Sequence, residues 1–506
     1  MSHLKLKIVT TTLLTVVLAV GLLAALTASG VLPTSTVTPT PLFDVFQNTP
    51  DGVQIIGIDA ENLESLPLPF ITGSPPPMPT ATATPAAKTP VPPILPHQPR
   101  PTSTGPLSGE LETFTWWLLS GNPVQIPVYE AILAGYQALY PNVDVFDGTQ
   151  MQAGGTSVRA HLTRRILAGN PPDVFQTHGG QELIGTWVVA DWIEDLSFLY
   201  AAEGWYDVYP QGLLDLLSYN GGIWSVPAAV WRTNLIWYNP TRLSEWGLSV
   251  PVTWNEFLTA CPTLKKAGVT PLLVGDTWTV NHLWENVALS VLGADGWNAV
   301  WRGEKAWTDP EMIAAWVLFD DILDCTNLAD VTPNSDMAWQ EMMDQVMAGQ
   351  AAFLVQGDWV ARHLIADRGL QPGVDFGWSP APGTDGLFLV ATDAFTLPWD
   401  AKNHDNALAW LKLIGSREGQ DILNPLLGSS APRLDSDLSV YDAYHQSAGI
   451  DWQTNRIVGS MEHGMVANER FVKEFGEVMR LFTHGRDVSF TVNALQTLCI
   501  QCCLCP

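Results

Sequence analysis

Apolar and polar positions divide this chain into three regions of different character. Residues 8–28 form an uncharged apolar run behind Lys5 and Lys7, long enough to span a bilayer, with its basic flank on the cytoplasmic side. The remainder is therefore expected outside the cytoplasm, whether 1–28 is a cleaved signal peptide or stays as a membrane anchor. Residues 29–108 hold 18 of the 38 prolines among Thr, Ser and Ala, a composition that favours extended, solvated chain. Fully extended, 80 such residues would reach roughly 250 Å. One island, 43–58, has the pattern of a small hairpin around Asp51-Gly52, marginal on its own. From Gly109 onwards, short apolar runs alternate with amphipathic ones. The spacing predicts a strand at 111–117, a helix at 127–140 with Ile132, Tyr136 and Leu139 near one face, and a strand at 142–146. A second helix follows from Ser157 to Ala168. Gly169-Asn170-Pro171-Pro172 stops it, and a buried third strand runs over 173–177.

This βαβαβ order implies a parallel sheet with right-handed crossovers. Ligands bind beyond the carboxyl ends of such strands. That edge collects Trp116, Trp117, Gln176 and His178, and the Gly179-Gly180 pair lets backbone approach closely there. Further along, Gly221 to Pro227 and the residues after it suit a strand crossing between lobes. Helices are expected at 254–264, 284–292, 310–323, 339–347, 407–415 and 420–424, and a strand at 388–397.

Composition narrows the function. A net charge of −27 argues against nucleic-acid or anionic-membrane ligands. All 22 Trp lie at or beyond Trp116, so the packed part of the chain begins there. Trp is a good platform for sugar rings, although in a large domain it is more often core. No Gly-rich phosphate loop, Ser/His/Asp nucleophile motif or paired-His metal motif is present.

Several segments recur together: Trp116-Trp117, Tyr140-Pro141-Asn142-Val143, Gly169 to Val174, Tyr219 to Pro227 and Leu235 to Asn239. Val252 to Phe257, Gly349 to Phe353, Gly357-Asp358-Trp359 and Asn455 to Ser460 complete the series. In this order they resemble the family 1 extracellular solute-binding proteins, the carbohydrate receptors of ATP-driven (ABC) importers. Gln176-x-His178 and Asn455 to Ser460 resemble the glucose/galactose/mannose-binding branch most. The resemblance covers about 110–481 and implies an α/β fold of two lobes joined by hinge strands, with the ligand in the cleft between them. Residues 109–506 would form the binding domain, with lobe 1 at about 109–228 and 376–428 and lobe 2 at about 229–375 and 429–506. It implies no enzyme activity and no cofactor or metal; the partners would be a sugar and the importer's permease subunits, and the receptor a monomer held to the membrane by its N-terminal segment.

Carried over residue by residue, the resemblance places Trp116, Trp117, Gln176 and His178 on the first lobe. Trp339 and Trp359 would offer stacking faces from the second, Asp393 would accept from sugar hydroxyls, and His463 would donate or accept. The chain departs from the branch at Gly121, where an acidic residue is usual, and at Leu427, where a lysine is usual. Loss of that acceptor and that donor changes hydroxyl recognition, so the identity of the sugar stays open. Cys261 and Cys325 are a disulfide or two buried thiols in an exported chain. The terminal Cys499, Cys502, Cys503 and Cys505 lack the second half of a metal motif. A secreted glycoside hydrolase and a stalked sugar sensor or adhesin are the competing readings. The hydrolase would need two carboxyls facing one bond, and the resemblance supplies one, Asp393.

Overall fold

The computed structural model describes residues 46–49, 52–55, 100, 105–116, 125–149, 155–328 and 338–502. The chain divides into two compact units, Met1–Thr89 and Pro90–Pro506. In the first, β1 (Phe46–Thr49) and β2 (Gly52–Ile55) pair antiparallel, Thr49 opposite Gly52. The hairpin expected in 43–58 is thus present, its strands closer to the turn than the apolar residues suggested. The apolar run 8–28 lies outside the described residues. Among those described, no helix is long and apolar enough to cross a membrane.

The second unit is built on two sheets. The first contains β3 (Gly109–Phe114), β4 (Val143–Asp147), β5 (Val174–His178), β8 (Val226–Arg232), β13 (Leu387–Thr396) and β14 (Arg456–Gly459). Its order is β14-β13-β5-β3-β4, with β8 also pairing β13. As the βαβαβ pattern predicts, β3 lies parallel to both β4 and β5. A short two-stranded ribbon, β6 (Ser218–Tyr219) and β7 (Gly222–Ile223), precedes β8. The second sheet contains β9 (Leu235–Tyr238), β10 (Thr270–Leu273), β11 (Ala351–Val355) and β12 (Gly377–Pro380), in the order β10-β11-β9-β12.

Helices of ten residues or more cover the sheets. They are α1 (Gln125–Leu139), α2 (Gly155–Leu167), α3 (Trp254–Lys266), α4 (Thr277–Trp301), α5 (Pro310–Leu323) and α6 (Trp339–Ala348). After β13 come α7 (His404–Gly415), α8 (Arg417–Leu427), α9 (Ala443–Thr454), α10 (Glu469–Gly485) and α11 (Val488–Gln501). Most starts are set by side-chain caps: Thr253, Asp276, Asp309 and Asn468 each accept from a backbone N–H in the first turn. The expected helix at 284–292 is the middle of α4, which starts two turns earlier. Gly293, at φ +61°, breaks the helical path within it.

The chain passes between the sheets three times. β8 runs into β9 through Thr233 and Asn234, β12 returns to β13, and after β14 the chain leaves for α10 and α11. The Asn234 side chain ties the first two passages together. Its Oδ1 accepts from Leu389 N (3.0 Å), and its Nδ2 donates to Thr384 Oγ1 and Leu387 O (3.0 Å each). Because β14 pairs parallel with β13, residues 456–459 lie in the first sheet, although everything from 429 was expected in the second lobe. Strand pairing decides such membership, and a four-residue strand has too little pattern to reveal its partner.

Each sheet has its own core. Around the first pack Tyr136, Tyr200, Trp205, Trp410 and Trp452. The second lobe buries Trp284, Trp297, Trp307 and Trp316 against Phe471, Phe475 and Phe482 of α10. Trp284 and Trp316 are 5.0 Å apart at the ring centres, a tilted aromatic pair. Cys261, inside α3, and Cys325, just after α5, form a disulfide with Cα atoms 6.0 Å apart.

Two measurements test this framework. The disulfide closes a loop with a sequence separation of 64, so replacing both cysteines by Ser should cost about 2–4 kcal/mol, read by urea unfolding under non-reducing conditions. Asp358, buried next to the crossing at Arg232, is pushed by burial from 3.8 up to about 7. The folded state therefore keeps this proton where the unfolded chain has lost it. Its contribution to stability is full below about pH 4 and disappears as the pH rises towards 7. Asp358→Asn lacks that loss, so its stability relative to wild type should improve by about 2–4 kcal/mol between pH 4 and pH 8. A constant difference across that range would show that Asp358 ionises normally.

Candidate functional site

The site is assembled from β5 outwards. Val174 to Thr177 are buried on both faces, so β5 is a rigid base that delivers Gln176 and His178 to its carboxyl end. Antiparallel pairing sets Asp393 of β13 opposite His178. A bulge between Asp393 and Ala394 in the pairing with β8 interrupts the ladder at this point. The Asp393 carboxylate accepts from Gln176 Nε2 (3.0 Å) and from Trp231 Nε1 (3.1 Å). Thr115 donates its hydroxyl proton to Gln176 Oε1, which orients the Gln176 amide with its nitrogen towards Asp393.

Beside this group runs a row of aromatic and imidazole rings. Trp116 lies 5.3 Å from His178, and His178 lies 6.1 Å from His463. His463 in turn lies 5.4 Å from Trp359 and 6.1 Å from Trp278. Trp278 and Trp359 are 5.8 Å apart, and Trp231 touches Trp359 at 6.2 Å. Trp116, Trp231, Trp278 and Trp359 are all half-buried, unlike the core tryptophans. The row joins the two lobes: β3, β5 and β8 supply one side, α4 and the short helix Trp359–Arg362 the other.

His463 reaches this position because its loop docks on the first lobe. Gln181 N donates to Met465 O (3.1 Å) and Glu182 N to Gly464 O (2.8 Å). Gly180 has φ +73°, and a Cβ there would lie 2.3 Å from Met465 O. The backbone that Gly180 admits is therefore the chain's own loop, while Gly179 lies against the Leu217 and Thr392 side chains. On the same turn Glu182 Oε2 lies 2.9 Å from His178 Nδ1. A carboxylate only accepts, so Nδ1 donates in this contact.

From the other lobe, Glu285 of α4 accepts from Ser460 Oγ (3.0 and 2.9 Å), Met461 N (2.9 Å) and Glu462 N (3.3 Å). Burial pushes Glu285 up to about 7. Burial also lowers His282, one turn earlier, to about 3, so it is neutral at physiological pH. His282, Glu285 and His463 each offer a ligand atom within 4.8 Å of one another. Both Glu285 oxygens are already engaged by the loop, so a cation there would have to displace those bonds.

Of the residues expected at the site, Trp116, Gln176, His178, Trp359, Asp393 and His463 come together. Trp117 and Gly121 lie outside the described residues. Trp339 begins α6, with its ring against His363 at 5.5 Å, and is not part of the row. Leu427 is buried in the first lobe's core at the end of α8. Sequence reasoning missed Trp231, Trp278, Glu182 and Glu285. Trp278, His282 and Glu285 share one helical face at i, i+4 and i+7, but α4 is buried on nearly all sides, so no amphipathic period marked its start.

Comparisons with known proteins agree with this architecture. The family model for bacterial extracellular solute-binding proteins matches residues 121–421. The chain belongs to the bacterial extracellular solute-binding proteins. This solute-binding protein is 28% identical over 386 residues to an uncharacterized ABC transporter extracellular-binding protein of Pyrococcus horikoshii, covering 75% of this chain and 85% of the relative. A probable sugar-binding periplasmic protein of Mesorhizobium japonicum is 27% identical over 391 residues, covering 74% and 89%. Among solved structures, the bacterial solute receptor AcbH superimposes with a TM-score of 0.66 at 14% identity, covering 78% of this solute-binding protein and 98% of AcbH. That likeness establishes the two-lobed fold.

The Gly180 contact makes a direct test of how the site is built. Gly180→Ala places a side chain in the left-handed region and against Met465 O. Stability should fall by about 2 kcal/mol or more, or the loop should undock. Gly204→Ala is the control: its φ is +68° but nothing lies within 4 Å, so it should cost about 1 kcal/mol. Equal losses in the two variants would show that the close approach contributes nothing.

Proposed function

We infer that this protein is the extracytoplasmic carbohydrate-binding receptor of an ATP-driven importer, taking a monosaccharide of the glucose/galactose/mannose type or a short saccharide. The observation that supports this most is the row of half-buried tryptophans and imidazoles, drawn from both lobes, beside the Asp393 carboxylate. Flat aromatic faces suit the C–H faces of a pyranose, and acceptors beside them suit its hydroxyls. The relatives support the same class: one is named a probable sugar-binding periplasmic protein, and AcbH is described as preferring β-D-galactopyranose. In this reading Trp116, Gln176, His178, Trp359, Asp393 and His463 contact the sugar. Trp117 and Trp339 take part in the same recognition.

The mechanism follows from the three passages between the sheets. Contacts contributed by two lobes are complete only when the lobes are closed, so a bound sugar shifts the equilibrium towards that state. The closed receptor is the form that permease subunits recognise. In this proposal the run 8–28 holds the monomeric receptor at the membrane and 29–108 is its tether.

A thermal-shift screen of hexoses, pentoses and short oligosaccharides should identify the ligand, since a bound sugar stabilises the fold by mass action. With the best ligand, Trp359→Ala should cost at least about 2 kcal/mol in calorimetric titration, roughly 30-fold in Kd. Asp393→Ala should cost about 1.5–3 kcal/mol. Trp307→Ala, in the core of the second lobe, should reduce stability more than affinity. Folded Trp359 and Asp393 variants that bind within about twofold of wild type would sink the site. Release of reducing ends from oligosaccharides by the pure protein would instead make it a hydrolase.

A further inference from the structure

We propose that Glu285 sets the proton position of His463 through Ser460, so that His463 offers its Nε2 to the ligand as a hydrogen-bond acceptor. The inference rests on the reading of His463 as a sugar contact, and it adds a positioning residue that never touches the sugar. Ser460 Oγ stands between the two groups, 2.9 Å from His463 Nδ1 and 3.0 and 2.9 Å from the two oxygens of Glu285. Glu285 and Ser460 are fully buried and His463 nearly so.

A serine hydroxyl has one proton, and here two acceptors compete for it. Above about pH 7 Glu285 is ionised; the carboxylate then only accepts and makes the stronger bond, so the Ser460 proton goes to Glu285. The Ser460 oxygen must then accept, and it does so from the backbone N–H of His463 (3.2 Å). It also takes the ring proton of His463, which therefore resides on Nδ1. Nε2 is left with the lone pair. The backbone amides of Met461 and Glu462 hold Glu285 in this orientation from the other side.

Three further titratable groups surround Glu285. His282, on the same helix, is neutral through burial. Glu462, on the docked loop, is raised well above its ordinary range by burial and by the charge of Glu285, and Asp276 lies beyond it at the start of α4.

His178 meets a carboxylate directly, its Nδ1 bonded to Glu182. In the proposed site His463 accepts from a sugar hydroxyl. Such a site selects ligands rich in hydroxyl donors and discriminates against analogues in which a contacted hydroxyl is replaced by fluorine, which cannot donate.

The test is imidazole ¹⁵N NMR of the whole exported protein at pH 9, with and without the sugar found by the screen. Wild type should show His463 protonated on Nδ1. In Glu285→Gln the side-chain oxygen stays against the Met461 and Glu462 amides and the NH₂ takes the place of Oε1, so Ser460 meets a donor beside a weaker, neutral acceptor. The Ser460 proton then turns to His463 Nδ1, and the ring proton should move to Nε2. Sugar affinity should fall by about tenfold or more, because a hydroxyl donor now meets a donor. Ser460→Ala removes the relay without touching the carboxylate and should leave His463 in a mixture of tautomers. Retention of pure Nδ1 protonation in either folded variant overturns the proposal. His463→Ala separates the two levels: unchanged sugar affinity there would refute His463 as a contact while leaving the tautomer result valid.

Discussion

The close approach of two backbones at the end of β5 is the constraint on which the site depends. Gly180 leaves room for the loop after β14 to lie directly on the turn, where Met465 and Gly464 accept from Gln181 and Glu182. That docking brings His463 against His178. The other side of the same loop is held by Glu285, a carboxylate buried in α4. One short segment is therefore fixed to both lobes, and the imidazole between its two anchor points stands where the lobes meet. A side chain on Gly180 would remove that space before any change in site chemistry could matter.

A receptor that closes on its ligand also needs crossings that bend without shearing. Here the first two passages are tied to each other by Asn234, whose amide bonds Thr384, Leu387 and Leu389 across the gap. Arg232, at the end of β8, sits over the Phe388 ring at 5.4 Å and pairs with Asp451 of α9. In the proposed closure the passages would flex as one ribbon, with the lobes moving as packed bodies on either side. The buried aromatic clusters are separate, Trp205, Trp410 and Trp452 in one and Trp284, Trp297, Trp307 and Trp316 in the other, although the second also takes in Leu389 of β13 and Val458 of β14.

The abundance of tryptophan is mainly a matter of packing. Trp284, Trp297, Trp307 and Trp316 form one continuous aromatic mass with the last helices. What distinguishes Trp116, Trp231, Trp278 and Trp359 is partial exposure together with neighbouring imidazoles and a carboxylate. Position in the fold, and not residue type, separates the stacking candidates from the core. The same holds for the acidic groups: Asp393 meets donors from Gln176 and Trp231, while Asp358, a short distance along the chain, is buried at the crossing with its ionisation suppressed.

Much of this protein was legible in the chain itself. Alternation of apolar runs with Gly and Pro stops marked β3, β4, β5, α1 and α5 to within a few residues, because each has one period and a clear terminator. The motif order identified the family; Gln176 and His178 could be named because they stand at a strand end, and Asp393 because the resemblance carries it over. Only the tertiary structure decided the rest. α4 lacks a polar face, so its first two turns and the face shared by Trp278, His282 and Glu285 had no periodic signal. The four residues of β14 could not reveal that their partner is β13, some seventy residues earlier. Trp231 and Glu182 acquire meaning only through Asp393 and His178, which they meet across the fold. Local pattern records what each segment buries; which segments bury each other is set by packing over long separations, and the site is made at those contacts.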